Sequence, residues 1–193
     1  MKLIPLSNRL SKALKHPKPA IDYVFRVWKL SNFLPEYKHG SKEFFKEASD
    51  VRDEVEAFLE VRLLAPSVIY SIVRAVKPEI VIETGVSNGV TTYFIISALE
   101  RNGCGMLYSI DIEKTIRDGK KIGWLVPEEL RNRWNILLGD GKDVLLRILS
   151  EVEAVDIFLH DGAHTYEYMS FEFRTAWRYL HDGGVLLSDD IYI

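Results

Sequence analysis

Three acids and a histidine near the end of the chain have the types and spacing of a chemical site: Asp161 and His164 in "HDGAHTY", and Asp189 and Asp190 in "LLSDD". Asp161 and the Asp189–Asp190 pair each close a short apolar run, so each stands where a strand would end. If those strands are neighbours, about 4.8 Å apart, their terminal carboxylates converge. Three carboxylates together repel one another unless a cation neutralises them. Ligation by oxygen alone, in a chain whose single cysteine is Cys104, points to a hard divalent ion: Mg²⁺ first, with Mn²⁺ or Ca²⁺ of the same kind. The plainer alternative is a polar strand end, with Asp161 capping the helix that follows.

A second group of residues lies earlier, in "VIETGVSNGVTTYF", residues 81–94. A buried strand breaks there on two glycines and resumes as a helix. Counting from Gly85, Ser87 and Val90 stand where a dinucleotide fingerprint needs its later glycines, and no Gly-Lys-Ser/Thr follows to make a phosphate loop. Glu83 beside the helix N-terminus would also repel a pyrophosphate, so a cationic or zwitterionic ligand is expected. S-adenosylmethionine fits: it carries an ammonium, a carboxylate, a sulfonium, a ribose and an adenine, and no phosphate. Glu83, Gly85, Ser87 and Gly89 would meet its methionine end. Asp111 in "YSIDIE", 22 residues after Gly89, would accept the ribose hydroxyls, and Asp140 in "LLGDGKD" the adenine amino group. Asp161 would close the same rim. A tight strand-to-helix turn and an ordinary helix cap at Asp111 are the plain alternatives.

These groups need a frame. After Pro78 short apolar runs alternate with helical spacing, predicting strands near 79–83, 106–110, 134–138, 154–160 and 184–188, with helices near 89–101, 113–122, 141–151 and 165–180. That alternation specifies an α/β fold, a Rossmann-like doubly wound parallel sheet covered on both faces. Right-handed crossovers give the strand order 3-2-1-4-5, with ligands at the carboxyl ends over the gap between strands one and four. His160 then faces the other side of the sheet from Asp161 and reads as structural, while Tyr166 and Trp177 read as core. Before residue 76, apolar residues at helical spacing (Ile21, Val24, Phe25 and Trp28; Phe44, Ala48, Val51 and Val55; Val68, Ile72 and Val73) predict three amphipathic helices. Residues 1–65 form a helical accessory segment expected to lie over the strand ends as a lid, and 66–193 the ligand-binding domain.

Through "VIETGVSNGVTT", "YSIDIE", "LLGDGKD" and "VDIFLHDGAHTYEYMSFEFRTAWRYLHDGGVLLSDD", residues 66 to 190 resemble class I S-adenosylmethionine-dependent methyltransferases. Within that class they are most similar to metal-dependent O-methyltransferases, both the catechol type and the group of macrolide-sugar methyltransferases and cephalosporin hydroxylases. The resemblance implies a divalent metal at Asp161, Asp189 and Asp190 that grips oxygens of a small-molecule acceptor. It also implies a catalytic pair of Asp161 and His164, the histidine taking the acceptor proton, with an ordinary loop histidine as the alternative. Class I enzymes usually continue into two further strands, six and seven, which are absent from this chain. A fragment of a longer protein, or a second copy covering the edge of strand five, would account for that. Two other readings stand beside hydroxyl methylation: a non-catalytic S-adenosylmethionine-binding domain, and a metal-independent methyltransferase acting on another atom.

The bulk of the 193-residue chain narrows the partners. A net charge of −3 and a pI near 6.0 give no reason to expect nucleic acid. Residues 1–21 carry Lys2, Arg9, Lys12, Lys15 and Lys18 with no acid, which reads as a solvated tail. No apolar run approaches the roughly 18 residues of a membrane span, and the first residues lack a signal peptide's apolar stretch. Together with the lone cysteine, this predicts a cytoplasmic protein without a membrane partner.

Overall fold

The computed structural model describes residues 43–44, 46–53, 55 and 64–189. Residues 43–55 are helical wherever they are described, and helix α1 spans Leu64–Val76. Strand and helix then alternate: β1 (Ile80–Thr84), α2 (Val90–Asn102), β2 (Met106–Asp111), a 3₁₀ turn (Glu128–Arg133), β3 (Trp134–Leu138), α3 (Gly141–Glu151), β4 (Val155–His160), α4 (Tyr166–Trp177) and β5 (Leu180–Ser188). The five strands form one parallel sheet in the order β3-β2-β1-β4-β5, as the spacing predicts.

Strand alternation divides the core into two layers. Val81, Leu107, Ile157 and Leu159 pack with Phe94 and Ile95 of α2 and with Val68, Ile72 and Val73 of α1. Ile82, Ile110 and Phe158, on the other parity, pack with Leu145 and Ile148 of α3 and Ala176 of α4. The described part of the N-terminal segment joins the first layer, since Ala48 and Val55 are buried in that core. Residues 1–42, with Phe25, Trp28, Phe33 and Tyr37, lie outside the described residues.

Three expectations are corrected. The stretch 113–122 is not a helix: Thr115 pairs antiparallel with Lys121, and Ile116 and Lys120 are joined by a 2.9 Å backbone hydrogen bond. The cause is local, for Asp118-Gly119 forms a tight turn, with Gly119 at φ 81° and the Asp118 carboxylate accepting from Lys120 N at 3.0 Å. Strand β5 begins at Leu180 rather than 184, because an irregularity in its pairing with β4 between Val155 and Ile157 takes up the residues around Gly183 and Gly184. Tyr166 and Trp177 are 81% and 70% exposed, so they lie on the outer side of α4 and not in the core. At the opposite end of the sheet from the strand termini that carry the acids, Asp156 accepts from Glu79 N and Ile80 N at 2.9 and 2.8 Å and pairs with His181 at 2.7 Å. That tie sets β1, β4 and β5 in register. Among the described residues no helix is long and apolar enough to cross a membrane.

Candidate active site

The carboxyl ends of β1, β2, β3 and β4 open into a cleft of about 1010 Å³. Its walls are the glycine loop from Thr84 to Ser87, the end of β2 from Ile110 to Glu113, the hairpin around Asp118, Gly139–Gly141, and Asp161–Ala163. The position is the switch point of the sheet, where β1 is flanked by β2 on one side and β4 on the other.

Gly85 and Ser87 line the cleft, whereas Gly89 is buried away from it, against Gly123 and Val126. The glycines' freedom is used against protein as much as against a ligand. Gly85 has φ 84°, and a side chain there would collide with the Asp161 backbone carbonyl, while a Cβ on Gly89 (φ 89°) would lie 2.6 Å from Gly123 Cα. Ser87 occupies the left-handed region at φ 51°, a strained conformation for a residue with a side chain.

Asp111 ends β2 on the cleft wall. Its Oδ2 accepts from Val86 N at 2.9 Å and Ser87 N at 3.4 Å, and its Oδ1 from Glu113 N at 2.9 Å. The carboxylate thus braces the glycine loop and keeps lone pairs for a ligand hydroxyl. Asp140 caps α3, its Oδ1 accepting from Lys142 N at 2.8 Å and from the Tyr168 hydroxyl at 3.0 Å. The Lys142 N–H, and then the Tyr168 hydroxyl, hold its carboxyl below the ordinary aspartate value.

Glu83 lies underneath the loop, not on its cleft face as the sequence suggests. It is fully buried, and its Oε2 accepts from Thr92 and Ser109 hydroxyls at 2.8 and 2.7 Å, leaving Oε1 without a hydrogen-bond partner. Desolvation pushes its carboxyl up to about 8, with the two hydroxyls opposing and Asp161 and Asp111 adding to the rise. The unfolded chain gives up this proton near the ordinary 4.5 and the folded chain keeps it to about 8, so the folded state binds more protons between those values. Stability of the ligand-free protein therefore falls as pH rises through that window and levels off above it. In Glu83→Gln the window should flatten, so the variant gains thermal stability relative to wild type between pH 5 and pH 8. An equal difference in Tm at both pH values would refute the assignment.

At the end of β4, Asp161 and His164 are brought together, Asp161 Oδ1 lying 3.9 Å from His164 Nε2. The imidazole meets the ring of His160 edge-on, with centroids 5.3 Å apart. His160 is itself fully buried and points to the other face, as alternation predicts, where its Nδ1 lies 2.6 Å from Glu172 Oε2. Thr84 Oγ1 donates to the same Glu172 oxygen at 2.8 Å. His160 pairs with Ser188 in register, and Asp189 N donates to His160 O at 2.9 Å, so Asp161 and Asp189 occupy the next positions on adjacent strands. Asp190 lies outside the described residues. Among the described residues no three acids, histidines or cysteines group closely enough to hold a metal.

Tyr168, Arg117 and Ile116 also face the cleft and were not singled out from the sequence. Tyr168 carried a faint signal, three residues after the capping Thr165 and so on the first turn of α4. Arg117 and Ile116 carried none, because their position depends on the hairpin.

A parallel sheet of this order, with a glycine loop after β1 and an acid ending β2 beside it, is the Rossmann-like fold of class I methyltransferases. A family model described as a methyltransferase domain matches residues 82–191, and the chain belongs to that family. Among solved structures, the chain is similar to the O-methyltransferase from Bacillus cereus in complex with SAH (17% identity, TM-score 0.55, 83% of this chain and 74% of that one). It is similar also to MycE methyltransferase from the mycinamycin biosynthetic pathway with Mg and SAH (18%, TM-score 0.53, 74% and 37%). A third is the O-methyltransferase TomG from Streptomyces achromogenes, involved in tomaymycin synthesis, in complex with SAM (18%, TM-score 0.51, 73% and 63%). At these identities the likeness is one of fold, and the chain spans little more than a third of MycE's length. Among curated protein sequences there is no match.

Proposed function

We propose that this protein transfers the methyl group of S-adenosylmethionine to a hydroxyl oxygen of a small molecule. The observation that carries the reading is the single cleft that runs from Asp111, at the end of β2, to Asp161 beside His164, at the end of β4. One end offers acceptors for a nucleoside; the other offers the Asp161 carboxylate, with the His164 imidazole behind it, 3.9 Å away and not itself on the cleft wall. Asp111, Glu113, Asp118, Asp140, Asp161 and Glu172 line the cleft against Arg117, a field that suits a sulfonium and an ammonium better than a phosphate. The similar structures from Bacillus cereus and Streptomyces achromogenes are of O-methyltransferases, which supports the choice of oxygen.

A neutral hydroxyl is a poor nucleophile toward a sulfonium methyl, so the acceptor must lose its proton as the bond forms. His164, 3.9 Å from Asp161, would take it. Beyond that step, the transfer requires donor and acceptor to be held in line, which is the task of the cleft walls. Asp161 and Asp189, with Asp190, would hold a divalent ion. Carboxylates with water suit Mg²⁺, and the ion would supply a positive charge that acidifies the acceptor hydroxyl.

Titration calorimetry with S-adenosylmethionine tests the first half of this reading. Binding is expected, and Asp111→Ala should weaken it by roughly 1.5–3 kcal/mol, the range for hydrogen bonds to a charged group. Unchanged affinity in the variant would remove Asp111 from the cofactor site. Methyl incorporation into catechols, glycosides and polyketides, read by mass spectrometry, tests the second half and identifies the acceptor class.

A further inference from the structure

We propose that Arg131 is a positioning residue for the cofactor: it grips the turn 123–126, and that turn grips the glycine loop from behind. The inference rests on the S-adenosylmethionine reading of the cleft. It starts from Ser87, which lines the cleft at φ 51°. A non-glycine residue stays in the left-handed region when its surroundings over-determine it. Here the determinants are external, because Gly123 N donates to Ser87 O at 2.9 Å and Leu125 N to Asn88 O at 3.1 Å. Gly89 packs directly on Gly123, and Val126 fills the space beside them.

The turn itself belongs to no helix or strand, and Arg131 holds it. From the 3₁₀ turn its Nη2 donates to Gly123 O at 3.2 Å and to Val126 O at 3.1 Å, and its Nε to Val126 O at 3.2 Å. A guanidinium presents these donors as a rigid fork, which a lysine cannot do. Its Cζ lies 5.5 Å from the centre of the Trp134 ring. That indole donates to Ser109 Oγ at 2.9 Å, and Ser109 donates to Glu83 beneath the loop. The glycine loop is thus held from behind by the Arg131 turn and from below by the Trp134–Ser109–Glu83 chain, and the two supports meet at Arg131 and Trp134. Glu128 lies 3.2 Å from Arg131 Nε but is 90% exposed, so it adds little to the grip.

The test compares wild type, Arg131→Met and Arg131→Lys in two measurements: titration with S-adenosylhomocysteine, and amide exchange of the ligand-free proteins. Arg131→Met should bind about 10-fold more weakly, as loss of hydrogen bonds from a charged donor implies. Exchange should quicken at residues 85–89 and 123–126 and not in the strands of the sheet. Arg131→Lys, which can reach one carbonyl at a time, should lie between the two and carries the test if the methionine variant does not fold. Affinity within twofold of wild type in the folded variants overturns the proposal, as does weakened binding without faster exchange in those two segments. Wild-type protein that binds no S-adenosylhomocysteine overturns the cofactor reading itself, and this inference with it.

Discussion

Treated with EDTA, the protein should lose methyl transfer and keep most of its affinity for S-adenosylmethionine. The expectation follows from where the acids stand. Asp111 ends β2 and Asp140 caps the helix after β3, on the proposed nucleoside side of the switch point, while Asp161 and Asp189 follow the adjacent strands β4 and β5 on the other side. A cation between the second pair would serve the acceptor, so its removal should spare the nucleoside. Asp189→Asn should weaken metal binding, with excess Mg²⁺ partly restoring the rate, because a ligand is lost but the site is not. Normal turnover of chelated protein would replace this reading with the metal-free one, and parallel loss of turnover and cofactor affinity would move the ion to the nucleoside side.

His164→Ala is expected to lower the single-turnover rate by about 10²–10⁴-fold, the usual worth of a positioned general base, while cofactor affinity stays within a few-fold of wild type. The geometry argues for a positioned imidazole. Its Nε2 is directed to within 3.9 Å of Asp161, and one ring edge rests on His160. His160 cannot move aside, because it is fully buried and its Nδ1 is 2.6 Å from Glu172, which also takes the Thr84 hydroxyl. A variant at full rate would make His164 a bystander and leave proton removal to Asp161 or to water. Loss of cofactor binding in the variant would instead mean that the ring supports the loop, since Gly85 lies against the backbone of Asp161.

The architecture was legible in the sequence because it is written in periodicity. Short apolar runs alternating with helical spacing leave few right-handed topologies, and the order β3-β2-β1-β4-β5 follows. The acids at strand ends were legible for the same reason, for a residue just past an apolar run lands on the rim whatever the loop beyond it does. Asp111, Asp140 and Asp161 all reach the cleft. Parity turned His160 to the α4 side of the sheet, where it meets Glu172.

What the tertiary structure decided is how those residues are used, since hydrogen bonding and desolvation depend on neighbours far apart in the chain. Glu83 looked like a loop acid. It became a buried carboxylic acid because Thr92 from α2 and Ser109 from β2 close over it. The stretch after β2 shows apolar residues at spacings a helix could use, but the Asp118-Gly119 turn folds it back, which puts Ile116 and Arg117 on the cleft wall. Trp177 sits at a helical position that reads as core and is 70% exposed, because α4 turns a different stripe toward the sheet. The grip of Arg131 on the carbonyls of Gly123 and Val126 was beyond sequence reasoning for the same physical reason. Backbone carbonyls in an irregular turn have no residue type, so the chain brings them to a guanidinium without leaving a pattern of letters to read.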